Sequence, residues 1–325
     1  MLRIRTSEFA IPVALCVAGA IFLLVGSLES TQFARLTVQG VAQGMVYSSL
    51  ALALVLIYQA THVINFAQGE LAMLTTYIAY QLIQWGLSYW EAFAATLVIA
   101  FVLGVILQVT VIRPVQHRSV IATVIVTLGL FLLIDGVASW EWGAQLIILP
   151  SPFGSTDLSY NVGGVLIEHL WVGTSVVVLL SLAVVWGLFR FTKLGLAMRA
   201  AALRPAAAAL AGVRVDVMLA IGWGLAAALG AVAGLMAESS NLFLDPGFMQ
   251  QPLVFAFAAA ALGGLESPVG AVVGGIAIGA FQILLTGYVP ALGSNLQIPF
   301  SFAVILGILL VKPNGLFGRR QVQRV

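Results

Sequence analysis

Asn65, Gln68 and Glu70 lie close together in "THVINFAQGELAM", Thr61 to Met73, between apolar runs. Two carboxamides and a carboxylate could hold a small polar solute, the amides donating and accepting while the carboxylate meets a cationic group. The same residues also carry a helix-start pattern. Asn65 followed by Gln68 fits a capping box, in which the Asn65 side chain accepts from the Gln68 N–H and the Gln68 side chain reaches back. A new helix then starts near Phe66, with Glu70 in its first turns, beside the positive end of its dipole. A second polar break lies in "LGGLESPVGAVVGG". There Gly263 and Gly264 allow a sharp turn, Glu266 follows, Ser267 is a good N-cap and Pro268 suits the first helical position. Interrupted helices in both halves of a membrane chain point to a transport pathway, although two unrelated surface turns would read the same way.

Little else in the chain could do covalent chemistry. It has no G-x-x-x-x-G-K-[ST], no H-E-x-x-H and no G-x-S-x-G. His62, His117 and His169 are scattered, and Cys16 is the one cysteine, so no metal site, disulfide framework or thiol relay is expected. Within apolar runs the acids are few, namely Glu70, Asp135 and Asp216. A proton relay or voltage sensor needs more. The expectation is a protein without catalytic residues, metal or cofactor of its own.

The elements that must position these residues are membrane helices. Of 325 residues, 61% are hydrophobic and 8% charged, against about 25% charged in soluble domains. Apolar runs fall near 9–27, 38–59, 66–85, 92–112, 119–139, 170–189, 216–237, 252–265, 269–287 and 297–311. The first reads as an anchor helix rather than a cleaved signal, because its core is long. The runs at 252–265 and 297–311 are short for a span of about 20 residues. The expected fold is an all-α polytopic bundle of about 8–10 spans, with broken or re-entrant helices and internal inverted repeats, in one membrane domain over 1–325. Lys and Arg set the orientation. They lie before the first run, at Arg113 and Arg118, between Arg190 and Arg214, and after the last run, while 86–91, 140–169, 238–251 and 288–296 have none. Both termini are therefore expected in the cytoplasm and 140–169 outside; only Arg35 breaks the pattern. The net charge of +2 is spread between spans and forms no nucleic-acid stripe. Small residues at helix-packing spacing (Gly40, Gly44 and Ser48; Gly230 and Gly234; Gly270 and Gly274; Gly275 and Gly279) read as close helix contacts in lipid.

Residues 190–214 form the long cytoplasmic loop. In "FRFTKLGLAMRAAALRPAAAALAGVRVD", Arg199, Leu203 and Ala207 fall at helical spacing, and Pro205 favours a compact helix start. A helix lying on the membrane surface wants large apolar side chains. This alanine-rich one suits a groove in a protein partner better.

With that loop in view, three stretches resemble one family in order and spacing. "GMVYSSLALALVLIYQATHVINFAQGELAML", "LGLAMRAAALRPAAAALAGVRVD" and "AAALGGLESPVGAVVGGIAIGAFQ" are similar to motifs of LivH/LivM-type permeases, the membrane subunits of branched-chain amino acid ABC importers. The resemblance runs from about Val38 to Phe317. Gln68 stands where histidine is more usual, and Ala206 where an acidic residue is common. The resemblance implies a second homologous permease, two cytoplasmic ATP-binding subunits that hold ATP and Mg, an extracytoplasmic substrate-binding protein, and residence in the bacterial inner membrane. Asn65, Gln68 and Glu70, with Glu266 and Ser267, are then candidates for lining the path. Arg199, Arg204, Pro205 and Ala207 are candidates for coupling to the ATPase. The substrate expected is an aliphatic amino acid, with urea or a short amide as an alternative. A stand-alone secondary transporter and a passive channel are the readings of another class.

Overall fold

A computed structural model of the chain describes residues 30–61, 63–116, 118–143, 147–154, 158–240, 244–288, 299, 303, 307 and 315–317. The expected span at 9–27, most of that at 297–311, and Cys16, His62, His117 and Asp157 lie outside them. In chain order the elements are α1 (Ser30–Thr61), α2 (Gln68–Gln84), α3 (Tyr89–Gln116, with a π-turn at Gln108–Ile112) and α4 (Val120–Trp142). A hairpin β1 (Ser159–Val162) and β2 (Val165–Glu168) leads into α5 (His169–Phe191), α6 (Lys193–Leu203), α7 (Pro205–Leu210) and α8 (Val215–Ser240). Then come α9 (Gln250–Gly263) and α10 (Pro268–Tyr288). The fold is an all-α polytopic bundle. Among the described residues, α1, α3, α4, α5, α8 and α10 are long and apolar enough to cross a membrane. α2 has 17 residues and α9 has 14. At 1.5 Å per residue these reach about 26 and 21 Å, short of the roughly 30 Å hydrocarbon core.

α1 is the central helix, and it runs antiparallel to α10. A Cβ placed on Gly44 would lie 2.7 Å from Ile276 Cα, and one on Gly40 would lie 2.7 Å from Ala280 Cα. The two backbones therefore touch, which only small residues permit. Ser48 Oγ donates to Val272 O at 2.7 Å, and Tyr47 Oη to Gln282 Oε1 at 2.7 Å. In lipid, apolar burial alone does not drive helices together, so close packing and such hydrogen bonds hold them. Ser49 Oγ, donating to Leu229 O at 2.9 Å, ties α1 to α8.

Caps set the helix starts. Ser119 Oγ accepts from Ala122 N–H at 3.1 Å to begin α4, and Glu91 reaches back to the Ser88 N–H at 2.9 Å to begin α3. Ser267 Oγ accepts from Gly270 N–H at 3.0 Å, with Pro268 first in α10 and Gly264 at φ +96° in the preceding turn. α4 and α5 turn Ile121, Ile125, Leu132, Val184 and Trp186 outward, an apolar surface suited to lipid.

No strand was expected between 140 and 169. The hairpin there forms because Gly163 and Gly164, at φ +62° and +87°, supply the two left-handed positions of a tight turn. Its second strand packs on α1, where Arg35 lies 3.9 Å from Glu168. Burial raises the Glu168 carboxyl above its ordinary pKa, and Arg35 opposes that rise. The hairpin thus marks one end of the bundle. The opposite end gathers Gln59 and Ala60 of α1 with Met198 and Arg199 of α6 and Met218 of α8 around a cleft.

Candidate functional site

α1 stops at Thr61, and the chain turns back into the bundle before α2 begins. Asn65, Gln68 and Glu70 are brought together there, each at most 1% exposed. The capping box does not form as expected. Asn65 Oδ1 accepts from the Ala67 N–H at 3.1 Å, closing a local turn, and Asn65 Nδ2 donates to Gln68 Oε1 at 3.3 Å. Ala67, not Asn65, stands at the cap of α2, which starts at Gln68 rather than near Phe66. The physical reason is that the Gln68 side chain is engaged elsewhere: its Nε2 donates to Ala226 O of α8 at 3.0 Å.

That bond fixes the depth of the break. Ala226 lies eleven residues into α8, or about 17 Å from its start at 1.5 Å per residue. α2 therefore starts at mid-depth in the bundle, well away from either surface. α9 starts at the same level, because Gly69 packs on Leu253, with Leu253 Cβ 3.2 Å from where a glycine Cβ would stand. Phe66 and Phe257 add a ring contact at 5.7 Å. From this shared level the two helices diverge. α2 runs toward the hairpin end, where Trp142 Nε1 donates to Gln81 Oε1 at 3.3 Å. α9 runs to the α6–α7 end, where Gln59 Nε2 donates to Glu266 O at 2.7 Å.

Two helix N-termini thus face one level of the interior with their positive dipole ends, although in α9 the Gln250 N–H already donates to Gly247 O and Pro252 has none to offer. Glu70 is in the first turn of α2, with the Gln250 side chain of α9 beside it as a hydrogen-bond donor. Neither Glu70 oxygen has a cationic partner among the described residues. A buried acid without a cationic partner is costly in a membrane and marks a solute path by default.

Residues 36–311 match the model of the branched-chain amino acid transport system permease component family. The chain belongs to this family. Among its relatives is the high-affinity branched-chain amino acid transport system permease protein LivH of Escherichia coli (strain K12), 29% identical over 88% of this chain and 96% of the relative. Another is BraD, of the same description, from Pseudomonas aeruginosa, 27% identical over 91% and 99%. A solved structure, "PsaBC from Streptococcus pneumoniae in complex with Fab", covers 90% of this chain and 97% of its own at 16% identity and a TM-score of 0.47, too distant to argue from. The chain is a multi-pass membrane permease component.

The remaining candidates of this branched-chain permease lie elsewhere. Glu266 is exposed in the turn between α9 and α10, and Ser267 spends its hydroxyl on the α10 cap. Leu253 and Gly263 are ten residues apart on α9, roughly 15 Å, so the structure does not bring Glu266 or Ser267 to Glu70. The 190–214 loop also differs in form from the single helix expected. It holds two helices broken at Arg204, whose φ of −146° and ψ of 78° are not helical. Pro205 is the cause, because it excludes the preceding residue from helical geometry and lacks an N–H. Arg199 lies on α6, with its Nε 3.4 Å from Gly195 O, while Ala207 is exposed on α7. Beside Ala207, Leu203 and Leu210 are 77% and 92% exposed.

Sequence reasoning passed over Tyr77, Asp245 and Gln250. Tyr77 stacks on Trp142 with ring centroids 5.0 Å apart. A heptad offset could have flagged it, since Glu70 and Tyr77 share a face of α2 as Asp135 and Trp142 share one of α4.

Proposed function

We propose that this chain is the translocation subunit of an ABC importer for small zwitterions, specifically aliphatic amino acids, working by alternating access. The observation that carries this is the pair of helix starts meeting at mid-depth beside the buried Glu70, which no described cation neutralises. The α2 N-terminus offers N–H groups and both helix starts offer a positive dipole end to a carboxylate, and Glu70 offers a negative charge to an ammonium. Leu253, Phe66 and Phe257 beside them suit an apolar side chain. Asn65 and Gln68 line the same place, while Glu266 and Ser267 would stand at its α6–α7 mouth. The names of the relatives favour branched-chain substrates. A second reading, urea or a short amide, draws on the carboxamides of Asn65 and Gln68, which need no fixed charge in the solute.

The chain has no P-loop, and the proposed source of energy is a pair of cytoplasmic ATP-binding subunits. α6 and α7 are the proposed docking site, through Arg199, Arg204, Pro205 and Ala207. A second permease and an extracytoplasmic binding protein complete the assembly, with both termini and the α6–α7 end in the cytoplasm. The test is uptake of labelled leucine and labelled urea by cells carrying the complete transporter, with and without Glu70→Gln. Leucine uptake that falls strongly in the variant supports the reading. Urea uptake without leucine uptake in the unmutated system would overturn the amino-acid assignment.

A further inference from the structure

Beyond the helix starts lies a feature that their role does not use. α2 and α4 run in the same direction, and the Tyr77–Trp142 stack sets their register. Glu70 and Asp135 are each seven residues, about two turns, before their stacked aromatic. The two carboxylates therefore stand level with one another across the α2–α4 contact, and Asp135 acts electrostatically on Glu70. Asp245, in the turn before α9, acts on Tyr77 together with Asp135. The three acids are thus strung along one length of the interior, Glu70 and Asp135 at the level of the helix starts and Asp245 toward Tyr77 on the hairpin side.

Among the described residues no cation answers them. The ion pairs among the described residues are Arg35 with Glu168 and Arg113 with Asp216, neither of which involves these acids. Two polar groups in the same place are buried: the Tyr77 hydroxyl, 0% exposed, has no partner among the described residues, and the Glu70 carboxylate, 1% exposed, has the Gln250 side chain beside it but no cation. Uncompensated negative charge in a low-dielectric cleft concentrates cations and repels anions. No group of acids or histidines there is arranged to hold a metal ion among the described residues. That leaves a passing organic cation as the fitting occupant.

We propose that Glu70, Asp135 and Asp245 form a charge filter along the path, from the helix starts toward the hairpin side, admitting ammonium-bearing solutes and turning away net anions. It rests on the proposed function for the position of the path, and it adds a selection that acts in the permease itself. A zwitterion arriving there is turned so that its ammonium faces the acids, leaving its carboxylate for the helix starts.

The test uses the complete transporter in membranes, with Cys16→Ser and Gln250→Cys placing one thiol beside Glu70, at a position exposed in the structure. Its rate of reaction from the outside is measured with a trimethylammonium and a sulfonate methanethiosulfonate of similar size, each relative to a free thiol in solution. The filter predicts that the cationic reagent is favoured about tenfold, a ratio within the range that focused fields produce. The preference should fall with added salt, and fall again in Asp135→Asn and Asp245→Asn. Salt dependence is read on the protein with its acids intact, so a variant that fails to fold does not remove the test. Equal normalised rates for the two reagents, or a ratio unmoved by salt, would overturn the filter while leaving leucine transport standing. A strong ratio in a transporter that carries urea and not leucine would do the reverse.

Discussion

Replacing Gln68 with methionine keeps the volume and removes the amide. Two hydrogen bonds go with it: Gln68 Nε2 to Ala226 O at 3.0 Å, and Asn65 Nδ2 to Gln68 Oε1 at 3.3 Å. Hydrogen bonds between side chains in membrane proteins average about 0.6 kcal/mol, so the pair contributes roughly 1.2 kcal/mol. The larger effect is on Asn65, which is 1% exposed. Its amide nitrogen would lose its acceptor while still buried, a loss of about 1–3 kcal/mol. The expected destabilisation is therefore about 2–4 kcal/mol, concentrated at the start of α2. Chemical unfolding of the purified protein in detergent, with a probe at the break, measures it. A double-mutant cycle with Asn65→Ala separates the terms. The second substitution should cost less than the sum, because it removes the group left unsatisfied by the first. Wild-type stability in Gln68→Met, or strict additivity in the cycle, would refute the account of the break.

Gly44→Val should separate α1 from α10, because a Cβ there lies 2.7 Å from Ile276 Cα and 2.8 Å from Gly275 O. A stability loss of about 1–3 kcal/mol is expected from overpacking, and Gly129→Ala, which meets open space, should lose far less in the same assay. Arg113→Ala should cost under about 1 kcal/mol, since its ion pair with Asp216 is half-exposed; a larger loss would show that the pair locks α3 to α8. Ala207→Trp, on the exposed side of α7, should abolish co-purification of the ATPase while the permease still inserts, and normal co-purification with normal uptake would remove the coupling role.

The all-α membrane fold was legible because long apolar runs are a direct response to lipid. The break at Asn65–Glu70 was legible for the same reason, since polar groups amid apolar residues need a purpose. Its internal wiring was not: spacing suggested that Gln68 would reach back along the chain, whereas a carbonyl of α8, far away in sequence, claims it. Glu266 drew notice through its glycine and proline neighbours, which shape a turn at any depth, and the structure places that turn at the surface. The element that meets α2 at mid-depth is the start of α9. Asp245 and Gln250, in "LDPGFMQQ", carry no signal of depth, because only the packing of Leu253 on Gly69 sets it. The break between α6 and α7 was readable in principle, as Pro205 restricts Arg204 whatever its surroundings.

In the proposed function this chain provides a path and takes its energy from partners. The direct measurement is labelled leucine uptake into proteoliposomes holding either this chain alone or the complete transporter, with ATP on the side of the ATPase and an ion gradient imposed separately. Uptake is predicted only in the complete assembly, only with ATP and binding protein, and strongly reduced by Glu70→Gln. Leucine accumulation by the chain alone, driven by the ion gradient and indifferent to ATP, would contradict it.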